Sequence, residues 1–391
     1  MPFVDALRGF ALFGVFGANL MIFSGLTYLT EEQKASVSST ALDKVVYVLE
    51  QFFVENKFMG LFSVLFGISF WLFLDRARAR GASATRLFYR RVGWLFLFGL
   101  LHGWLLWCFD ILRFYALWAL LLPLFLRMPV RRLGAIALST AVLVPAVISG
   151  VRGLLPRPSD AGPAFDALAL AAFSTGNYFD VLAANWKYDW YLTNSIGQAA
   201  YQLAVFGRLL LGLYATRALD LANLDGHRSA LKKLLVVGAI VGVMGNTVFT
   251  WHFLEGARGF VLPFVRRLSV ESGFLGFTLA YAAGLALLFM NPLSTRAVGA
   301  LAPLGQMALT AYLLQTVFGI WLFYGFAPGP HLMGKIGPAW IALVWLVGYA
   351  VQVGLAQAWM RRFRFGPAEW LWRTLTYGQV QPLRATLVPE A

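Results

Sequence analysis

Asp5-Ala6-Leu7-Arg8-Gly9-Phe10-Ala11-Leu12-Phe13-Gly14-Val15-Phe16-Gly17-Ala18-Asn19 begins an apolar stretch of membrane length, 6–26. An acid, an arginine and an amide are costly to bury in hydrocarbon. They need partners or a water-filled cavity, and so they mark a functional position. Eleven residues separate Arg8 from Asn19, about three helical turns. Both project from nearly the same face, roughly 16 Å apart along the axis. The competing reading is that Arg8 reaches to the interface and Asn19 bonds two helices together.

Around this stretch the composition fixes the class. Of 391 residues, 59% are apolar and only 13% charged, with a mean hydropathy of +0.68; soluble domains carry about 25% charged residues. The chain reads as an all-α, polytopic membrane protein, about ten transmembrane helices in one bundle. Stretches of about 20 apolar residues fall at 6–26, 57–75, 91–109, 111–128, 133–151, 197–216, 232–251, 272–291, 297–323 and 339–360. The pieces 43–56 and 164–185 are weaker and read as amphipathic or re-entrant, with an eleventh span near 164–185 left open. This divides the chain into an N-terminal half (1–155), an extracytoplasmic loop (156–196) and a C-terminal half with a tail (197–391).

The net charge of +14 reflects cations at helix ends and does not call for nucleic acid. Placing the arginine-rich 76–91 loop in the cytoplasm puts both termini there. It leaves 20 Lys and Arg inside and 11 outside, with Arg208 within a helix, which accounts for all 32 and satisfies the positive-inside rule. The outer loop is nearly balanced, with Arg152, Arg157 and Lys187 against Asp160, Asp166, Asp180 and Asp189. Cys108 is the single cysteine. The pairs Gly99/Gly103 and Gly238/Gly242 have helix-packing spacing.

Few side chains are left to carry chemistry. Of the four histidines, only His102 falls well inside a span, and it is suited to general-base work near neutral pH; a single interhelical hydrogen bond is the alternative role. Asp110 lies eight residues on, out of reach unless the chain bends, and could instead pair with Arg113 at i,i+3. Arg208, mid-span with Tyr201 seven residues earlier on the same face, demands an anion. That anion is either a coenzyme phosphate or one of Asp5, Asp110 and Glu271. Gln306, Thr310, Tyr312 and Gln315 add polar groups to the ninth span. No paired-His spacing or Cys cluster indicates a metal, and no G-x-S-x-G elbow is present.

Several runs resemble the YeiB-like family of bacterial membrane proteins. They include the 5–19 segment, Lys57-Phe-Met-Gly-Leu-Phe-Ser-Val-Leu-Phe-Gly67, Gly99-Leu-Leu-His102 and Asp110-Ile-Leu-Arg-Phe-Tyr115. Farther on, Gly305-Gln306-Met-Ala-Leu-Thr310-Ala-Tyr312-Leu-Leu-Gln315 and Phe365-Gly-Pro367-Ala-Glu369-Trp370-Leu-Trp372-Arg373 look like that family's C-terminal domain. The family is similar to a wider superfamily of transmembrane acyltransferases that includes heparan-glucosaminide acetyltransferase. The resemblance implies a multi-pass protein of the bacterial inner membrane, surrounded by lipid and compatible with a homodimer. It implies an acyl-CoA donor, acetyl-CoA first, and a glycan, lipid or small-molecule acceptor. On this reading Arg8 and Arg208 hold the coenzyme. His102, Asn19 and Asp110 are catalytic, and Asp5, Tyr201, Gln306, Tyr312 and Gln315 face substrate. No histidine follows Asn19 in the next helix, where the lysosomal enzyme carries its base, so His102 takes that role on chemical grounds. A transporter or flippase for an anionic lipid or metabolite would use the same residues without chemistry. It should show repeat symmetry and broken helices.

Overall fold

The computed structural model describes residues 1–79, 83–155, 162–255 and 262–384; Arg80, Arg157 and Asp160 lie outside them. Among the described residues the secondary structure is helical, with one isolated bridge between Phe363 and Arg384. The protein is an all-α membrane bundle.

Helix α1 (Pro2–Phe23) is its axis. Pro2 at the first helical position and Asp5 in the first turn favour this start, and 16 of the 22 residues are buried. A helix apolar all round belongs inside a bundle. Two short helices, α2 (Glu31–Val37) and α3 (Ala41–Phe53), follow, each opened by a capping box, Thr30 with Gln33 and Thr40 with Asp43. Leu42, Val45, Leu49 and Phe53 of α3 are exposed, as expected of an amphipathic piece. α4 (Lys57–Ala79) runs beside α1 and ends in Arg76 and Arg78.

α5 (Ala84–Leu105) and the short α6 (Leu112–Ala119) form a tight hairpin. Gly99 and Gly103 permit it: a Cβ on Gly99 would overlap the backbone of Arg113, and one on Gly103 would press on Asp110. α6 is only 8 residues and gives way to a 3-10 turn, Leu122–Phe125. At about 12 Å of rise, α6 falls short of the expected span at 111–128. α7 (Val130–Leu138) and α8 (Val144–Leu154) are joined by a π turn at Ser139–Leu143. Pro145, at the start of α8, lacks the N–H that would continue the ladder.

The 164–185 region is a helical hairpin, α9 (Gly162–Thr175) and α10 (Tyr178–Thr193). α11 (Ile196–Ala218), α12 (Arg228–Glu255) and α13 (Pro263–Phe289) complete the second wall. α12 and α13 meet through glycine on both sides, Gly245 against Gly273 and Gly242 against Gly276, so the Gly238/Gly242 pair does serve packing. α14 (Thr295–Gly299) and α15 (Ala302–Gln306) meet α16 (Ala308–Phe323) at a 78° bend. The expected ninth span is therefore broken at Met307. α17 (Pro338–Met360) and α18 (Pro367–Tyr377) end the described chain.

Among the described residues, seven helical stretches are long and apolar enough to cross a bilayer, and the bent pair makes an eighth. The other two expected spans are α5 and the truncated α6. Val236, Ile240 and Met244 of α12 and Leu343, Val347 and Val351 of α17 are exposed, an apolar belt suited to lipid.

Candidate functional site

The bend after α5 joins the residues that a straight helix would hold apart. Leu106 and Trp107 both donate their N–H to the His102 carbonyl, closing the helix. The chain turns back and brings Asp110 Oδ1 to 2.9 Å from His102 Nδ1. Asp110 Oδ2 accepts the Arg113 N–H at 2.8 Å, which fixes the carboxylate at the start of α6. On the other side of the ring, His102 Nε2 lies 2.9 Å from Thr316 Oγ of α16. Both ring nitrogens are engaged, Nδ1 by the Asp110 carboxyl group and Nε2 by the Thr316 hydroxyl. Carboxylate, imidazole and hydroxyl thus form a continuous relay, at 1–2% exposure.

Arg113 does not pair with the Asp110 carboxylate. Its guanidinium makes a two-pronged ion pair with Asp189 of α10, because Asp110 is already taken by the ring and the backbone. That pair fastens the α9–α10 hairpin to the α5–α6 turn.

Beside the relay lies a cavity of about 270 Å³ between α1, the 55–59 turn, the 108–115 hairpin, α10 and α11. Asn19, Asp110 and Tyr201 line it, together with Glu55, Asn56, Asp189 and Gln202. Arg8, His102 and Arg208 do not. Of Arg8, Asn19, His102 and Arg208, the coenzyme-binding and catalytic candidates drawn from α1, α5 and α11, only Asn19 reaches the cavity. The reason is that each of the other three meets its partners within the protein.

Arg8 donates to Asp5 at 2.6 Å and to Ser69 of α4 at 2.7 Å, at the end of the bundle opposite the cavity. Arg91 of α5 and Arg373 of α18 are within electrostatic reach of it, and the Arg91 guanidinium stacks on Trp372 at 3.5 Å. Arg208 obtains its anion from Glu271 of α13 at 2.6 Å, which also holds Arg267 at 2.5 Å. Gln306 lies at the α15–α16 bend on a shallow depression with Pro303 and Gln357. Gln315 donates to Gln352 of α17 at 2.8 Å. The Tyr312 ring packs on His102 with centroids 5.1 Å apart.

Residues 216–379 match the family described as "Protein of unknown function (DUF418)". The chain is similar to "Uncharacterized protein YxaH" of Bacillus subtilis, 28% identical over 97% of this chain and 95% of the relative. It is equally similar to "Uncharacterized protein YeiB" of Escherichia coli, 28% identical over 97% of each. The YeiB-like resemblance is thereby borne out. A third relative, "Uncharacterized 39.9 kDa protein in amylase 3'region" of Bacillus acidopullulyticus, is 29% identical over 97% of this chain and 94% of its own length. The matched segment includes Glu271, Gln306, Tyr312, Gln315 and Thr316; Asn19, His102, Asp110 and the cavity lie before it.

Sequence reasoning missed Thr316, Glu55 and Asp189. Thr316 is one hydroxyl in an apolar helix and carries no local signal. Asp189 is one acid in a loop of balanced charge. Glu55-Asn56-Lys57, a polar run at the mouth of a span, was the readable signal. Lys57 is fully buried there, donating to the Gln51 carbonyl at 2.5 Å with its ammonium over the rings of Phe249 and Phe274.

Proposed function

We propose that this protein is a membrane-embedded acyltransferase that moves an acyl group from acyl-CoA to a glycan, lipid or small-molecule acceptor. The observation that carries the reading is the Asp110–His102–Thr316 relay, whose carboxylate forms part of the wall of a polar cavity. A carboxylate fixing the tautomer of an imidazole whose other nitrogen meets a hydroxyl is the arrangement used to take a proton from a nucleophile. In the proposed reaction the acceptor's hydroxyl or amine passes from the cavity, which the ring does not line, to Nε2, where it takes the place of the Thr316 hydroxyl. Its oxygen or nitrogen bonds to the thioester carbonyl carbon as the carbon–sulfur bond breaks. His102 carries the proton from the acceptor to the departing thiolate, and Asp110 stabilises the transient imidazolium.

With both termini cytoplasmic in the inner membrane, the Arg8 end of the bundle faces the coenzyme and the cavity faces the acceptor. Arg8, with Arg91 and Arg373 nearby, suits the coenzyme phosphates. Arg208 already has Glu271. Asn19 would donate to the developing oxyanion or orient the acceptor.

The test is transfer from radiolabelled acetyl-CoA by the purified protein, with His102→Ala expected to abolish transfer and leave coenzyme binding nearly intact. A second reading, transport of an anionic lipid or metabolite, is favoured by the broken span at Met307, since broken helices are common at transport sites. A protein that binds no acyl-CoA yet moves an anionic substrate across liposomes would establish it in place of the first.

A further inference from the structure

Asn19 is 6% exposed, and among the described residues its carboxamide makes no hydrogen bond. The amide is not enclosed by protein atoms: it lines the cavity, where a ligand can meet its donor and its acceptor. Glu55 lines the same cavity; it accepts one hydrogen bond, from the Asn56 side chain at 3.0 Å, and forms no ion pair among the described residues. The other cavity charges are committed. Asp189 is neutralised by Arg113, and Asp110 is divided between His102 and the Arg113 N–H. Lys57 lies outside the cavity lining, its ammonium on the Gln51 carbonyl and over two rings, within electrostatic reach of Glu55. Glu55 thus remains for a ligand, with the amides of Asn19 and Gln198, beside the aromatic side chains of Phe114 and Tyr201.

We propose that this cavity binds a small ligand carrying a protonated amine next to a hydrogen-bonding oxygen, with Glu55 taking the ammonium and Asn19 the oxygen. Such a group could belong to a free amino alcohol or to a lipid headgroup. A carboxylate attracts the cation, a ring face adds to that attraction, and an amide can donate to or accept from a hydroxyl. The inference rests on the cavity being the acceptor site of the proposed reaction, but its test uses no coenzyme. Failure of acyl transfer would leave amine binding standing, and failure of amine binding would leave transfer to an uncharged acceptor standing.

The experiment is calorimetric titration of the full-length protein in detergent with ethanolamine and with its neutral counterpart, ethylene glycol. Ethanolamine should bind more tightly. Glu55→Gln should weaken ethanolamine by about ten- to a hundredfold, the loss of one charge-assisted bond, and leave ethylene glycol unchanged. Asn19→Ala should weaken both. In parallel, melting is followed in nanodiscs of phosphatidylethanolamine and of phosphatidylglycerol. A Glu55-dependent rise in the first alone, without binding of free ethanolamine, would identify a lipid headgroup as the source. The proposal is overturned if ethanolamine shows no preference over ethylene glycol and neither lipid differs, or if Glu55→Gln behaves as the parent in both assays.

Discussion

Asp110 Oδ1 lies 2.9 Å from His102 Nδ1 although eight residues separate them and one helix ends between them. The contact exists because α5 stops at Leu105 and its glycines admit the returning chain. The ring is thereby held in one orientation, with Nε2 turned to Thr316. If the relay works as proposed, Asp110→Asn should lower acyl transfer by about 10²- to 10⁴-fold, the contribution of a positioned proton-transfer group. Thr316→Val should preserve the shape of the site and leave Nε2 without its hydroxyl. Rates with labelled acyl-CoA, set beside melting temperatures, separate loss of chemistry from loss of folding.

The Arg208–Glu271 pair makes an asymmetric prediction. Removing one member of a buried ion pair costs about 3–5 kcal/mol when the other is stranded. Glu271→Leu strands Arg208, which among the described residues has no other acid among its bonds. Arg208→Met leaves Glu271 with Arg267 at 2.5 Å. Thermal unfolding should therefore show the larger loss for Glu271→Leu, and equal losses would contradict the geometry.

Glu369 of α18 accepts hydrogen bonds from the backbone N–H of Leu309 and Thr310, at 2.6 and 3.2 Å, and from the Thr310 hydroxyl at 2.6 Å. It caps α16 from another helix. Burial pushes its carboxyl above the usual carboxylate range, against the pull of these hydrogen bonds. The folded protein then holds a proton that the unfolded chain releases near pH 4.3. This group's stabilising effect is thus full at low pH and falls as pH rises through the raised value. Glu369→Gln should flatten that part of the stability profile. Glu369→Ala, which uncaps two amides, should cost about 1–3 kcal/mol at all pH values, as read by unfolding in detergent.

A paired glycine test probes the approach of α15 to α1. A Cβ on Gly305 would overlap the Asp5 carbonyl, whereas one on Gly299 meets nothing within 4 Å. Gly305→Ala should destabilise by about 1–3 kcal/mol or more. Gly299→Ala should be neutral or stabilise by up to about 1 kcal/mol. Melting shifts of the same size in the two variants would show that the helices do not approach this closely.

Much of the bundle was legible because hydrocarbon imposes a simple rule: a segment that crosses must be long, apolar and self-bonded. α1, α11, α13 and α17 follow it and fall where the sequence places them. α6 does not, because Pro123 and the return toward α5 cut it short, and the break at Met307 is hidden inside an unbroken apolar run. Within the site, Asn19, Asp110 and His102 stood out as polar residues in apolar surroundings. Thr316 did not, since a threonine in a membrane helix satisfies itself locally and carries no cost that would mark it.

The sequence by itself determined that the chain is a helical membrane bundle and which of its polar residues are expensive to bury. Cost is a property of the residue and its neighbours in the chain. Only the tertiary structure decided how each cost is met. Arg208 is answered by Glu271, 63 residues away, and His102 by Asp110 and by Thr316, 214 residues away. Among the described residues Asn19 is answered by no hydrogen bond, and it opens on a cavity. Pairing across such separations depends on which helix faces pack together, and periodicity along one helix carries no information about the face it will meet.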